Sequence, residues 1–173
     1  MQLHVLVAAL VLTSALATSG FSQTFQPRTA RISGSESAAA ATSVSRDLLQ
    51  LYGQTKSAST EAAVTSIARA CTKVLQDGAR TEVDRNYAAS LFAWALNRRG
   101  EIRSELAASL VEQGQAAEAT KMDSLAADDF ETALEYAPDN WRTCHNYAIS
   151  LAMKGDYQQA IAKLTRAIEL KPE

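Results

Sequence analysis

From residue 155 the chain reads GDYQQAIAKLTRAIELKP, and its apolar residues recur with helical spacing. Ala160, Ile161, Leu164, Ala167 and Ile168 fall at i, i+1, i+4, i+7 and i+8, the stripe of an amphipathic helix. Two of the five are alanine, where a core helix normally carries something larger, so another backbone is expected to come close there. Just upstream, NWRTCHNYAISLAMKG sets Cys144, Tyr147, Ala148 and Leu151 on one helical face, with Gly155 as the stop. Residues 60–78 repeat the theme, with Ala63, Ile67, Ala70 and Val74 on one face and a glycine at the end. SVSRDLLQLYGQ (43–54) predicts a short N-terminal cap helix. Residues 82 to about 120 contain no proline and predict one unusually long helix, with Gly100 and Gly114 as the points where it can bend. No segment alternates in the manner of a strand, so the expected fold class is all-α.

A step of 34 residues exposes an internal repeat. Ala160 maps onto Ala126, Leu164 onto Phe130, Ala167 onto Ala133 and Pro172 onto Pro138, which makes LAADDFETALEYAP the twin of the C-terminal helix. Helix, Gly-Asp turn, helix and exit proline resembles the tetratricopeptide repeat (TPR) family. Numbered from Trp141, the family's small, aromatic-or-leucine and proline positions are Ala148, Ala160, Leu164, Ala167 and Pro172, with Gly155 at the turn. Cys144 and Leu151 depart from the usual residues at their positions. The first helix of the earlier repeat does not follow the step of 34. A step of 48 takes Ala148 to Gly100, which implies about 14 extra residues, near ASLVEQGQAAEATK, between the two helices. A rival register at a step of 60 pairs NYAASL (86–91) with NYAISL (146–151). The resemblance implies a helical-hairpin solenoid of about two repeats, 82–138 with an extended first helix and 139–173, preceded by degenerate N-terminal helices over 46–80.

The N-terminus differs in character. An apolar run from Val5 to Ala17 is too short to span a bilayer as a helix, which needs about 20 residues. It fits the hydrophobic region of a secretory signal over 1–23, with Ala15-Leu16-Ala17 as a cleavage pattern. The segment before it carries His4 but no Lys or Arg, and no cysteine follows, which excludes a lipoprotein signal. Residues 24–45 are rich in Ser, Thr and Ala and read as a flexible linker. The protein is thus expected to be secreted or periplasmic, with no membrane span once the signal is removed. A net charge of −2 over 173 residues gives no reason to expect nucleic acid as a partner.

Chemistry is sparse. His145 is the only histidine beyond His4, so neither a histidine metal site nor a catalytic triad can be assembled. Cys71 and Cys144 both fall on apolar faces of different helical units and read as buried free thiols. Asp128, Asp129 and Glu131 form an acidic cluster without a partner acid or metal and read as a solvated face. No phosphate loop or nucleophile motif occurs. The expectation is a protein without catalytic residues, metal or cofactor.

The TPR resemblance places recognition on the first helix of each repeat. It assigns Arg142, His145, Asn146 and Ile149 to a peptide-binding groove, joined in the step-of-48 register by Trp94, Asn97, Arg98 and Glu101. Arg142 and Asn146 are the expected centre, as a clamp for a peptide carboxylate. The function expected is an exported scaffold for protein–protein interaction in an envelope or extracytoplasmic assembly. The alternative is a fragment or accessory module of a larger TPR polypeptide whose activity lies beyond residue 173. If the C-terminal hairpin is uncovered, Ile161, Leu164 and Ile168 form an apolar edge through which the chain can self-associate.

Overall fold

A computed structural model describes residues 43–171; the expected signal segment, most of the expected linker and Pro172 lie outside the described residues. Among these residues six helices and no strand occur: α1 (Arg46–Thr55), α2 (Glu61–Gln76), α3 (Glu82–Glu112), α4 (Ala116–Tyr136), α5 (Trp141–Met153) and α6 (Tyr157–Leu170). They pair in order as three antiparallel hairpins, and α3 also touches α1 on one side and α5 on the other. The first helices of the hairpins therefore form a continuous row. Polar side chains fix where several helices start. The Thr60, Thr81, Asn140 and Asp156 side chains accept backbone N–H groups of the first turns of α2, α3, α5 and α6.

The expected single helix over 82 to about 120 is two helices. Gly114 adopts φ 76°, and Gly114 N–H and Gln115 N–H donate to the Val111 and Leu110 carbonyls at 3.0 and 2.8 Å. This is a Schellman close, which requires a left-handed residue that glycine supplies without a Cβ clash. Gly155 at φ 86° closes α5 in the same way, through bonds to Ala152 and Leu151. The two turns are thus equivalent. The extra residues lengthen both arms of the middle hairpin: α3 gains 106–112 and α4 gains 116–122. At a step of 34, Tyr157 corresponds to Asp123, so α4 begins seven residues earlier than α6. Its arm projects about 10 Å further.

Two apolar clusters make the core. The first joins Leu48 of α1, Val64, Ile67, Ala68, Cys71 and Val74 of α2, and the N-terminal half of α3 from Tyr87 to Leu96. On α2 the buried stripe is centred on Val64, Ile67 and Cys71; Ala63 and Ala70 lie at its margins, half-buried. The second cluster joins Ala126, Ala127 and Phe130 of α4 with Tyr147, Ala148 and Leu151 of α5 and Ala160 of α6. Between the clusters Gly100 lies under the Phe130 ring, so close that a Cβ built there would stand 2.5 Å from a ring carbon. That contact decides the register. The step of 48 assigns a small residue to position 100, whereas the step of 60 assigns Ala88, which belongs to the first cluster.

The N-terminal hairpin is held by Arg80 in the α2–α3 connection. Its guanidinium takes both Asp47 carboxylate oxygens, at 2.7 and 3.2 Å, and the Ser45 hydroxyl at 3.2 Å. Asp84 anchors the same corner by accepting Ser45 N–H at 2.8 Å. The Arg80 hydrogen bond, with a smaller contribution from Ser45, holds the Asp47 carboxyl down at about 2.

Two outcomes follow from this packing. Gly100→Ala is expected to lower stability by about 1–3 kcal/mol through overpacking against buried Phe130. Gly53→Ala, with nothing within 4 Å of the added methyl, is expected to stabilise α1 by up to about 1 kcal/mol; thermal melts of both variants check the contrast. A carboxylate titration by NMR should place the Asp47 midpoint near 2 rather than 3.8. Because the folded value is the lower one, the stabilisation is present above the ordinary carboxylate range and is lost as pH falls through about 2. Arg80→Ala should return the midpoint toward 3.8.

Candidate protein-binding surface

The row of first helices carries a ladder of polar side chains between α3 and α5. Asn97 is buried (2% exposed), and a buried amide costs free energy unless it is bonded. Its Nδ2 donates to Glu101 Oε1 at 2.9 Å, one turn along α3. Across the helix gap Asn146 Nδ2 donates to the same Glu101 oxygen at 3.0 Å and reaches Asn97 Oδ1 at 3.3 Å. Arg98 donates to Glu101 Oε2 at 2.9 Å. His145 Nδ1 stands 3.5 Å from Asn146 Oδ1. Five of the residues assigned to the groove, Asn97, Arg98, Glu101, His145 and Asn146, are therefore linked in one network.

The remaining positions are placed differently. Arg142, one turn before Asn146, holds its guanidinium 5.2 Å from the Trp141 ring centre, and Lys171 lies 4.5 Å from the same ring. Ile149 is half-buried on α5. Trp94 packs against the first apolar cluster. The network also has a different centre from the expected clamp. Glu101 is a carboxylate already holding the Asn97, Asn146 and Arg98 donors, so an incoming carboxylate at that point meets like charge and occupied donors.

A second polar cluster lies on the other side of α3 and corrects the reading of the acidic run. Asp128 and Glu131 are exposed, but Asp129 is buried at 4% exposure. Arg99 grips it with two bonds, Nε to Oδ2 at 2.9 Å and NH2 to Oδ1 at 2.5 Å, and Arg103 adds a third at 2.8 Å. Arg103 also donates twice to Glu61 of α2, at 2.7 and 2.9 Å. One carboxylate on α4 is thus tied through α3 to α2, linking the first two hairpins. The hydrogen bond to Asp129 raises the Arg99 value further. The sequence held a signal for this cluster: Ala126, Asp129, Phe130 and Ala133 share one helical stripe, and Asp129 is its only charged member.

The two thiols are free and buried, and burial pushes Cys71 up to about 12 and raises Cys144, so both stay protonated and unreactive at neutral pH. Among the described residues no group of His, Cys, Asp or Glu side chains is arranged to hold a metal ion, and no helix is long and apolar enough to cross a membrane.

Residues 141–173 match the family model of the tetratricopeptide repeat, which covers α5 and α6. No curated protein and no solved structure matches the chain. The repeat supports a role in protein–protein interaction.

Asp129→Ala leaves two half-buried guanidinium groups without their shared carboxylate and should cost about 3 kcal/mol. The exposed neighbour supplies the control, since Asp128→Ala should change stability by no more than about 0.5 kcal/mol. Urea denaturation of the two variants measures the difference.

Proposed function

We infer that this chain is an exported scaffold that binds a protein partner along its row of first helices, in an assembly outside the cytoplasm. The observation that carries this reading is the ladder at the α3–α5 boundary. It presents polar groups whose positions are fixed by mutual hydrogen bonds rather than by a ligand. Preorganised groups of this kind lose little conformational entropy when a partner docks. Arg98 and His145 lie at its solvent edge and offer donors to a peptide backbone or to acidic side chains. Glu101 at the centre turns the surface away from a terminal carboxylate and toward the body of an extended or helical segment. The export component rests on the apolar run Val5–Ala17 and the small-residue pattern that ends it.

The test is partner capture with the full-length protein, followed by affinity measurement for the partner recovered. Arg142→Ala combined with Asn146→Ala should weaken binding at least tenfold, about 1.4 kcal/mol, while far-UV circular dichroism stays unchanged. Unchanged affinity would remove the first-helix row as the binding surface. N-terminal sequencing of the protein from the extracytoplasmic fraction should begin after Ala17; recovery only from the cytoplasm, with Met1 retained, would sink the export component.

A further inference from the structure

The extra turns of the middle hairpin take no part in the polar ladder, and they carry an apolar groove of their own. Arg103, bonded to Glu61, marks the level at which α2 begins. Above it α3 runs on to Glu112, about 13 Å further. Ala107 and Ala119 are buried there, which closes the two arms against each other. On α3, Leu106 and Leu110 follow Ile102 at steps of four, and Ile102 packs against the apolar cluster that α2 helps to form. Each such step turns the stripe by about 40°, from the α2 side toward α4. On α4 the Leu125 carbonyl accepts from Arg103 at 3.3 Å, and Met122 and Glu118 share its face toward the tip. Leu110, Met122 and Leu125 are half-buried and Leu106 is 43% exposed. These four side chains extend the seat of α2 past the end of α2. We propose that this groove on the projecting arm binds a short amphipathic helix of a partner protein whose polar face is cationic.

Continuity with the α2 seat sets the shape of the occupant. Lower down, the same side of α3 already takes a helix, whose Val64, Ile67 and Cys71 are buried. A second helix placed beyond α2 meets the same kind of surface, with anchors one turn apart. Charge sets the sign. Between residues 104 and 122 Glu105, Glu112 and Glu118 are exposed, against Lys121 as the one cation. Arg98 reaches Glu105 only at 4.0 Å. Lysine or arginine on the partner lies over this rim while its apolar side chains enter the groove, whereas a second copy of this arm would bring carboxylates together. The flanking helices leave the site open: α2 starts at the level of Arg103, and α5 closes at Gly155, the repeat equivalent of Ala107. Four apolar side chains make a small contact, so docking is reversible. The groove lies apart from the first-helix ladder and does not depend on it.

Fluorescence anisotropy with the full-length chain tests the proposal. The probe is a labelled helical peptide with leucines at i, i+3, i+4 and i+7 and lysines elsewhere. It should bind saturably, and more weakly as salt rises. A peptide with glutamate in place of lysine, and one with the lysines kept but the order scrambled, should each bind at least tenfold more weakly. Leu106→Ser should weaken the lysine peptide at least fivefold with circular dichroism unchanged. Val111→Ser, at a comparably exposed position on another face of α3, should leave it as in wild type. Arg142→Ala combined with Asn146→Ala should also leave it unchanged, which separates this site from the ladder. Absence of saturable binding at millimolar peptide would overturn the proposal. Equal binding of the scrambled peptide, or full binding by Leu106→Ser, would overturn it too. Loss of binding in the ladder variant would move the peptide to the first-helix row, and self-association abolished by Leu106→Ser would assign the groove to a second copy; either result is fatal to the proposal.

Discussion

The arrangement of the first two hairpins depends on one carboxylate. Asp129 enters the interface between α3 and α4 with almost no exposure, and an isolated charge in that place would be strongly unfavourable. It is tolerable because Arg99 and Arg103, one turn apart on α3, present their guanidinium groups to both of its oxygens. Satisfying that charge fixes the rotation of α4 about its own axis, and the Phe130 ring is then aimed at Gly100. Arg103 carries the tie on to Glu61 at the start of α2. Apolar packing is non-directional and would accept several rotations of such alanine-rich helices. The ion cluster selects one of them.

The same principle operates more gently on the first-helix row. Asn97 and Asn146 come from different hairpins and share the Glu101 carboxylate, so the angle between α3 and α5 is set by three short side chains. A surface locked in this manner loses little conformational entropy when a partner docks. Its central charged groups are already bonded to one another.

Much of this was readable from spacing. The helical class, the 34-residue relation between α4 and α6 and the small residues at Ala126, Ala133, Ala148, Ala160 and Ala167 are written as periodicity, and all five alanines are buried. The grouping of Asn97, Arg98 and Glu101 with Asn146 was legible through the repeat register, because equivalent positions of stacked hairpins face the same row. Other features were not legible. The break at Gly114 depends on a left-handed backbone angle, and a lone glycine in an otherwise helical run reads equally as a bend. The burial of Asp129 depends on two arginines 26 and 30 residues away, which local pattern does not connect to it. The clamp reading of Arg142 and Asn146 counted donors without the acceptor, Glu101, that the fold brings against Asn146.

The C-terminal hairpin shows what the chain does where the ion cluster is missing. At a step of 34 from Asp129 stands Lys163, whose ammonium lies 5.4 Å from the Tyr147 ring centre instead of entering an arginine pair. The α5–α6 interface is left to Ala160, Ala167 and their neighbours, and alanines bury little apolar area apiece. The ion pair from Arg166 to Asp139 at 2.9 Å is solvent-exposed and adds little. This hairpin is therefore held by small apolar contacts, with no buried ion pair among its described residues. The two hairpins thus hold their helix pairs by different physical means: one by a buried charge satisfied at close range, the other by the close approach of alanine-bearing backbones.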